Sequence, residues 1–269
     1  MHERFEGIVL FKRKHREHDA LVKIFTLEYG TKMFFVRRLE KPNHPLASQL
    51  IPLTHNQYIG TIHQSGLSFF QEGETLHFFR LLQSDYIKQA YAVYLAQLVD
   101  AAIEDNQPNS DLYLLFKAAL QAIEANKEVE VVTAYMELQL LNYFGVGINL
   151  QHCVECGSTE QPFDFSLRRQ GVLCRRHYDV DEFRLRINPR AMYVATILAS
   201  VSLNQIQSIN VSAETLTELR RFLDEVYDEF VGLRLRSKHY LTQLKQIEES
   251  AAILLTQRAS KQAKSTDSD

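Results

Sequence analysis

Cys153 and Cys156 are two residues apart, Cys174 and His177 are two residues apart, and 17 residues separate the pairs. Three thiols and an imidazole at this spacing suit a zinc ion, because each short turn aims two side chains at one point and two turns close a tetrahedron. Gly157 follows the first pair, where such a turn needs a residue tolerant of positive φ. All three cysteines of the chain fall in this cluster. The competing account, unrelated buried thiols beside a surface histidine, does not explain the paired spacing. Four protein ligands leave no open position for water, so one zinc per chain would be structural and not catalytic. Between the pairs lie Pro162, Phe163, Phe165, Leu167, Val172 and Leu173. These are too few for a separate core, so the metal is expected to supply the folding energy of the loop.

Catalytic patterns are missing elsewhere. The chain has no G-x-x-x-x-G-K-[ST] phosphate loop and no G-x-S-x-G elbow. Cys153 follows His152 and not proline, unlike the zinc deaminase signature. His15-Arg16-Glu17-His18 lacks the helical geometry of a zincin and reads as a solvated loop. The sequence therefore predicts a binding protein and not an enzyme.

Two basic clusters could contact phosphates: Lys12, Arg13, Lys14 and Arg16, then Arg37, Arg38 and Lys41. They form one patch if the strands that end there are neighbours, and ordinary solvated turns if they are not. Phe34-Phe35 and Phe69-Phe70 each place one ring on either face of a strand. An outward ring of Phe69-Phe70 is expected to pack on a neighbouring domain. Phe34 or Phe35 is left for stacking on a base. Arg220, Arg221, Arg234, Arg236 and Lys238 lie between apolar positions late in the chain, where a basic-rimmed groove would suit an acidic peptide.

The elements that must position these residues follow from pattern. With 269 residues, 45% hydrophobic and 23% charged, the chain has ordinary globular composition and room for two domains. No apolar run reaches a membrane span, the first residues lack a signal peptide's apolar stretch, and metal-spaced cysteines fit the cytoplasm. Net charge is −3, yet residues 1–80 hold 11 Lys/Arg against 8 Asp/Glu. Short strands are predicted over 5–11, 20–27, 31–36, 50–62 and 66–72, which favours a small barrel of the OB kind. From residue 81 the period turns helical. Asn109 or Ser110, Asn188-Pro189 and Ser212 are helix starts, a helix over 129–144 is apolar on most sides, and Ser237 begins a last helix. The fold class is α+β: a five-stranded OB-like barrel (1–80), then a helical domain (81–258) carrying a zinc knuckle at about 150–182, and a disordered tail (259–269).

In this order of parts the chain resembles the RecO family of bacterial recombination mediators. The resemblance rests on Glu6-Gly7-Ile8-Val9-Leu10, Phe25-Thr26-Leu27-Glu28-Tyr29-Gly30, the Cys153-to-His177 knuckle and the stretch from Leu233 to Leu241. It implies binding of single- and double-stranded DNA, annealing of complementary strands and action at the bacterial nucleoid. The partners it implies are RecR, the C-terminal tail of single-strand-binding protein and, indirectly, RecA. His177 stands where the family pattern usually has a fourth cysteine, and imidazole ligates zinc well. Glu40, Asn43 and Pro45 dilute a loop that is often more basic in the family. A protein-interaction scaffold whose barrel binds another protein is the alternative, and a zinc hydrolase is third.

Overall fold

The computed structural model describes residues 2–206, 211–244 and 246–247, so the tail expected at 259–269 lies outside the described residues. Three strands form a meander: β1 (Glu3–His15), β2 (Asp19–Thr26) and β3 (Gly30–Val36). β4 (His55–Thr61) pairs with the other edge of β1, and β5 (Phe69–His77) pairs with β4, all antiparallel. The sheet then closes on itself. The Phe35 N–H donates to the Ser68 carbonyl (3.0 Å) and the Ser68 N–H donates to the Met33 carbonyl (2.9 Å), a parallel bridge between β3 and the approach to β5. This is the five-stranded OB-like barrel expected. Alternation fills it with Phe5, Val9, Val22, Ile24, Phe34 and Tyr58.

Three strands differ from expectation. β1 runs on past Phe11 to His15, because Lys12, Arg13 and Lys14 pair with Val22, Leu21 and Ala20 in place of forming a turn. Residues 50–54 are turns, not strand, because Thr54 Oγ1 donates to the Ile51 carbonyl and Asn56 Nδ2 to that of Gln49. β5 starts three residues later than its pattern suggested and runs to His77, since Ser68 is used to close the barrel.

The helices are α1 (Arg80–Ser84), α2 (Tyr86–Ala102), α3 (Ser110–Glu124), α4 (Val129–Leu140), α5 (Pro189–Ser200) and α6 (Ala213–Phe230). Residues 236–244 are also helical. Asp85, Asn109, Asn188 and Ser212 cap four of them by accepting backbone N–H bonds. Nine of the twelve residues of α4 are buried, as its all-round apolar pattern requires. The helix stops at Leu140, where turns through Gly145 (φ 74°) replace its predicted last turn. Among the described residues no helix is long and apolar enough to cross a membrane.

After α4 comes a hairpin, β6 (Phe163–Ser166) with β7 (Gly171–Cys174), followed by a 3₁₀ turn, Arg175–Val180. Phe163, Phe165, Val172 and Leu173 are buried in the same core as the helices, and Phe165 meets Phe222 edge-on at 5.1 Å. The knuckle is thus not a coreless loop: it borrows the apolar faces of α5 and α6.

The barrel shares that core through Ile8, Leu10, Phe25 and Leu53, on the side facing the helices. Gly30 (φ 69°) allows the seam, since a Cβ there would lie 2.1 Å from the Gln107 carbonyl oxygen. Lys23, buried, bridges Asp100 (2.6 Å) and Asp105 (2.7 Å) across it. Burial alone would push its ammonium toward neutrality, but the two carboxylates hold it above its ordinary range. Glu6 accepts from Tyr113 (3.0 Å), Lys117 (3.0 Å) and the neutral His55 ring (2.7 Å). Burial pushes Glu6 up, but Lys117, His55 and Tyr113 outweigh it, while burial holds His55 down despite Glu6. Both groups therefore bind fewer protons folded than unfolded. The stability they supply is complete above pH 6.5; the His55 part is lost below that, and the Glu6 part below 4.5. His55→Gln is expected to flatten the fall of the urea midpoint between pH 6.5 and 4.5 and to keep the steeper fall below 4.5. Parallel curves for variant and wild type would contradict this.

Candidate metal centre and nucleic-acid interface

The knuckle brings together the four residues that spacing singled out. Donor atoms of Cys153, Cys156, Cys174 and His177 all lie within 4.8 Å of one another. Cys156 and Cys174 sulfurs are 3.8 Å apart, and His177 Nδ1 is 3.6 Å from Cys153 Sγ and 3.3 Å from Cys174 Sγ. A tetrahedral ion about 2.3 Å from sulfur and about 2.0 Å from nitrogen would space its donors roughly 3.5–3.8 Å apart. The set fits a metal ion. Its scaffold is the turn in which the Gly157 N–H donates to the Cys153 carbonyl (2.8 Å), with Gly157 at φ 70°, as a knuckle requires. Val154 N–H donates to the Val172 carbonyl and ties this turn to the hairpin (3.0 Å). Burial pushes the Cys153 thiol up, but backbone hydrogen bonds from Cys174, Glu155 and Cys156, with the His177 ring, bring it down to about 6. A thiolate is the form that ligates metal.

At the barrel's far end the two basic clusters meet. In the ladder Lys14 lies opposite Ala20 and Ala20 opposite Val36, so the end of β1 and the end of β3 flank the start of β2. The Arg38 N–H donates to Asp19 Oδ1 (2.8 Å) and the Glu40 N–H to the His18 carbonyl (3.0 Å), which pins the second loop on the first. Lys12 pairs with Glu40 at 3.5 Å. Arg13, Lys14, Arg16, Arg37, Arg38 and Lys41 are exposed and have no ion pair among the described residues. Arg16 (φ 56°) and Arg38 (φ 58°) are left-handed at the turn tips, a conformation that glycine or asparagine adopts at lower cost.

The aromatic pairs divide as alternation demands. Phe34 is fully buried, stacked on Phe70 (4.1 Å) and Phe5 (5.5 Å), and so is not available to a base. Phe35 is the outward ring. Phe70 turns inward, and Phe69 faces solvent instead of packing on the helices, because barrel closure carries it to the β3 seam. Phe69 is the residue that sequence reasoning missed. Its exposure depends on the pairing of β3 with Ser68, for which no local signal exists.

The late basic residues are less uniform than a rim. Arg220 donates to Glu137 (2.8 and 2.9 Å), and Arg221 is held by Glu218 and by the carbonyls of Leu185 and Arg186. Lys238 pairs with Asp224 (2.6 Å). Arg234 and Arg236 are exposed. A cavity of about 200 Å³ opens here, lined by Tyr91, Tyr94 and Leu241 with Arg220 and Lys238.

Comparison with known proteins agrees with this layout. A family described as Recombination protein O N terminal matches residues 1–79, and Recombination protein O C terminal matches 83–239. DNA repair protein RecO of Enterococcus faecalis is 41% identical over 248 residues, 92% of this chain and 95% of that protein. DNA repair protein RecO of Pediococcus pentosaceus is 37% identical over 244 residues (91% and 96%), and that of Lactiplantibacillus plantarum 38% over 240 (89% and 93%).

Proposed function

The chain belongs to the RecO family of DNA repair proteins, with a role in DNA repair and recombination, and on that premise we propose that it is a non-catalytic DNA-binding mediator. It binds single- and double-stranded DNA at the basic end of the barrel, anneals complementary strands and helps load RecA onto DNA coated by single-strand-binding protein, together with RecR. It does this in the bacterial cytoplasm, at the nucleoid. The observation that carries this reading is the convergence of two basic clusters across the β1–β2–β3 ladder. Phosphates need positive charge at backbone spacing, and the two clusters together extend that charge across the end of the barrel. The ion at the knuckle is zinc, which when bound clamps two loops and takes no part in turnover. The cavity at Tyr91, Tyr94 and Leu241 receives the acidic, hydrophobic-ended tail of single-strand-binding protein, with Lys238 beside it. Calorimetry with the tail peptide reads that contact.

Not all the basic side chains can reach one strand at once, so roughly three to five contacts are expected. At about −0.7 per contact this gives a log–log salt slope of about −2 to −3.5 on single strands. Replacing Arg37 and Arg38 by Glu is expected to flatten the slope by about 1–2 and to weaken all sequences alike, because phosphates carry no sequence information. Annealing falls in parallel. Anisotropy titration of a labelled strand at several salt concentrations measures this. An unchanged slope would move DNA off this end of the barrel; no binding at low salt would favour the protein-interaction scaffold.

A further inference from the structure

Four rings lie in a row on the outside of the barrel, where three strands and a loop meet. His15 is edge-on to Phe35 at 6.0 Å, Phe35 edge-on to Phe69 at 6.3 Å, and Phe69 edge-on to His63 at 5.9 Å. Phe69 is 45% exposed and belongs to neither hydrophobic core. The helical domain does not cover the row, since it packs on the barrel through Ile8, Leu10 and Phe25 instead. The row is held firmly. Ser68 is bonded on both sides to β3, its hydroxyl accepts the His63 N–H (3.1 Å), and the buried Lys32 donates its ammonium to the His63 carbonyl (2.9 Å).

Charge on this face is positive. Arg13, Leu21 and Phe35 are opposite one another in the ladder and so share a face, and the exposed Arg37 follows in the turn just past the end of β3. Arginines flanking exposed rings at strand spacing suit a chain whose phosphates and bases alternate. Phosphates alone would need no rings, and an apolar protein patch would not need the arginines. Bases in a duplex are already stacked on one another and offer only their edges. Unpaired bases offer their faces.

We infer that Phe35 and Phe69, with His15 and His63 beside them, form a platform on which bases of a single strand stack, so that the barrel distinguishes unpaired from paired DNA. This rests on the proposed binding of DNA at the basic end and adds to it a contact with bases. Stacking on one aromatic ring contributes about 1–3 kcal/mol per base. It displaces no counterions, so it changes affinity without changing the salt slope.

The chain contains no tryptophan, so Phe69→Trp introduces a sole indole reporter. Its fluorescence is expected to be quenched by oligo(dT) and not by a strand of the same length with abasic sites. Phe69→Ala is expected to weaken oligo(dT) binding about 5-fold to 150-fold, while affinity for the abasic strand, affinity for a duplex and the salt slope stay at wild-type values. Equal weakening on oligo(dT) and abasic strands would mean a loss of structure and would overturn the platform. So would unchanged affinity with a normal salt slope, an outcome that leaves DNA binding itself standing. Absence of binding by wild type to every strand at low salt would overturn both readings and turn the rings toward a protein partner.

Discussion

Replacing Glu137 by leucine is expected to lower the unfolding free energy by about 3–5 kcal/mol, the cost of leaving a partly buried cation without its counter-ion. Glu137 sits in the last turn of α4 with its side chain fully buried. It accepts from Tyr94 Oη at 2.5 Å and from Arg220 at 2.8 and 2.9 Å, and Lys238 lies 3.9 Å away. Tyr227 Oη donates to its backbone carbonyl at 2.8 Å, which fixes α6 on α4. Burial works against the charged form of Arg220, but Glu137 beside it outweighs that and holds the guanidinium above its ordinary range. Removing the carboxylate leaves that cation and a buried tyrosine hydroxyl unpaired. Glu137→Leu combined with Arg220→Met removes both charges, and is expected to recover most of the loss. Urea unfolding of the two single variants and the double variant measures it. A loss below about 1 kcal/mol in Glu137→Leu would show that water already screens the pair.

Loss of the metal is expected to have the second large effect. Structural zinc supplies on the order of 10 kcal/mol of apparent binding free energy in small domains that lack a core. Here Phe163, Phe165, Val172 and Leu173 already bury against the helices, so the hairpin retains part of its stability without the ion. Cys153→Ala is expected to lower metal affinity by about 100-fold or more, exceeding the range seen when only a supporting hydrogen bond is lost. Amide exchange is expected to quicken from Cys153 to His177 and to stay slow in the barrel. Elemental analysis and exchange of the purified protein test both parts. Native protein with no zinc and three freely reactive thiols would refute the site.

The four metal ligands were legible because their spacing is a local property, fixed by two short turns. The barrel was legible from strand count and turn residues, and three of the helix starts from their caps, Asn109, Asn188 and Ser212. What escaped depended on contacts distant in sequence. Alternation establishes that Phe34 and Phe35 point opposite ways, but only the closure through Ser68 decides which ring is inside. Arg220 reads in sequence as one of a basic rim for an acidic peptide, whereas the fold pairs it with Glu137. The counter-signal was Glu137, a carboxylate among the apolar residues of a helix apolar on most sides, which needs a buried cation from elsewhere. Nothing in the sequence says which cation. The knuckle looked coreless because its few apolar residues were weighed against one another and not against α5 and α6.

The seam at Gly30 and Lys23 has a consequence for treating this chain as parts. The family matches divide it after residue 79, at a boundary of inheritance. The line of cooperativity runs elsewhere. Ile8, Leu10 and Phe25 precede that boundary, yet they belong to the helical core, and both carboxylates that neutralise Lys23 lie beyond it. A fragment cut at the inherited boundary would present an apolar flank and an unpaired lysine to solvent. The helical core and the Lys23 ion pairs both reach across that boundary, so neither half keeps its contacts when separated from the other.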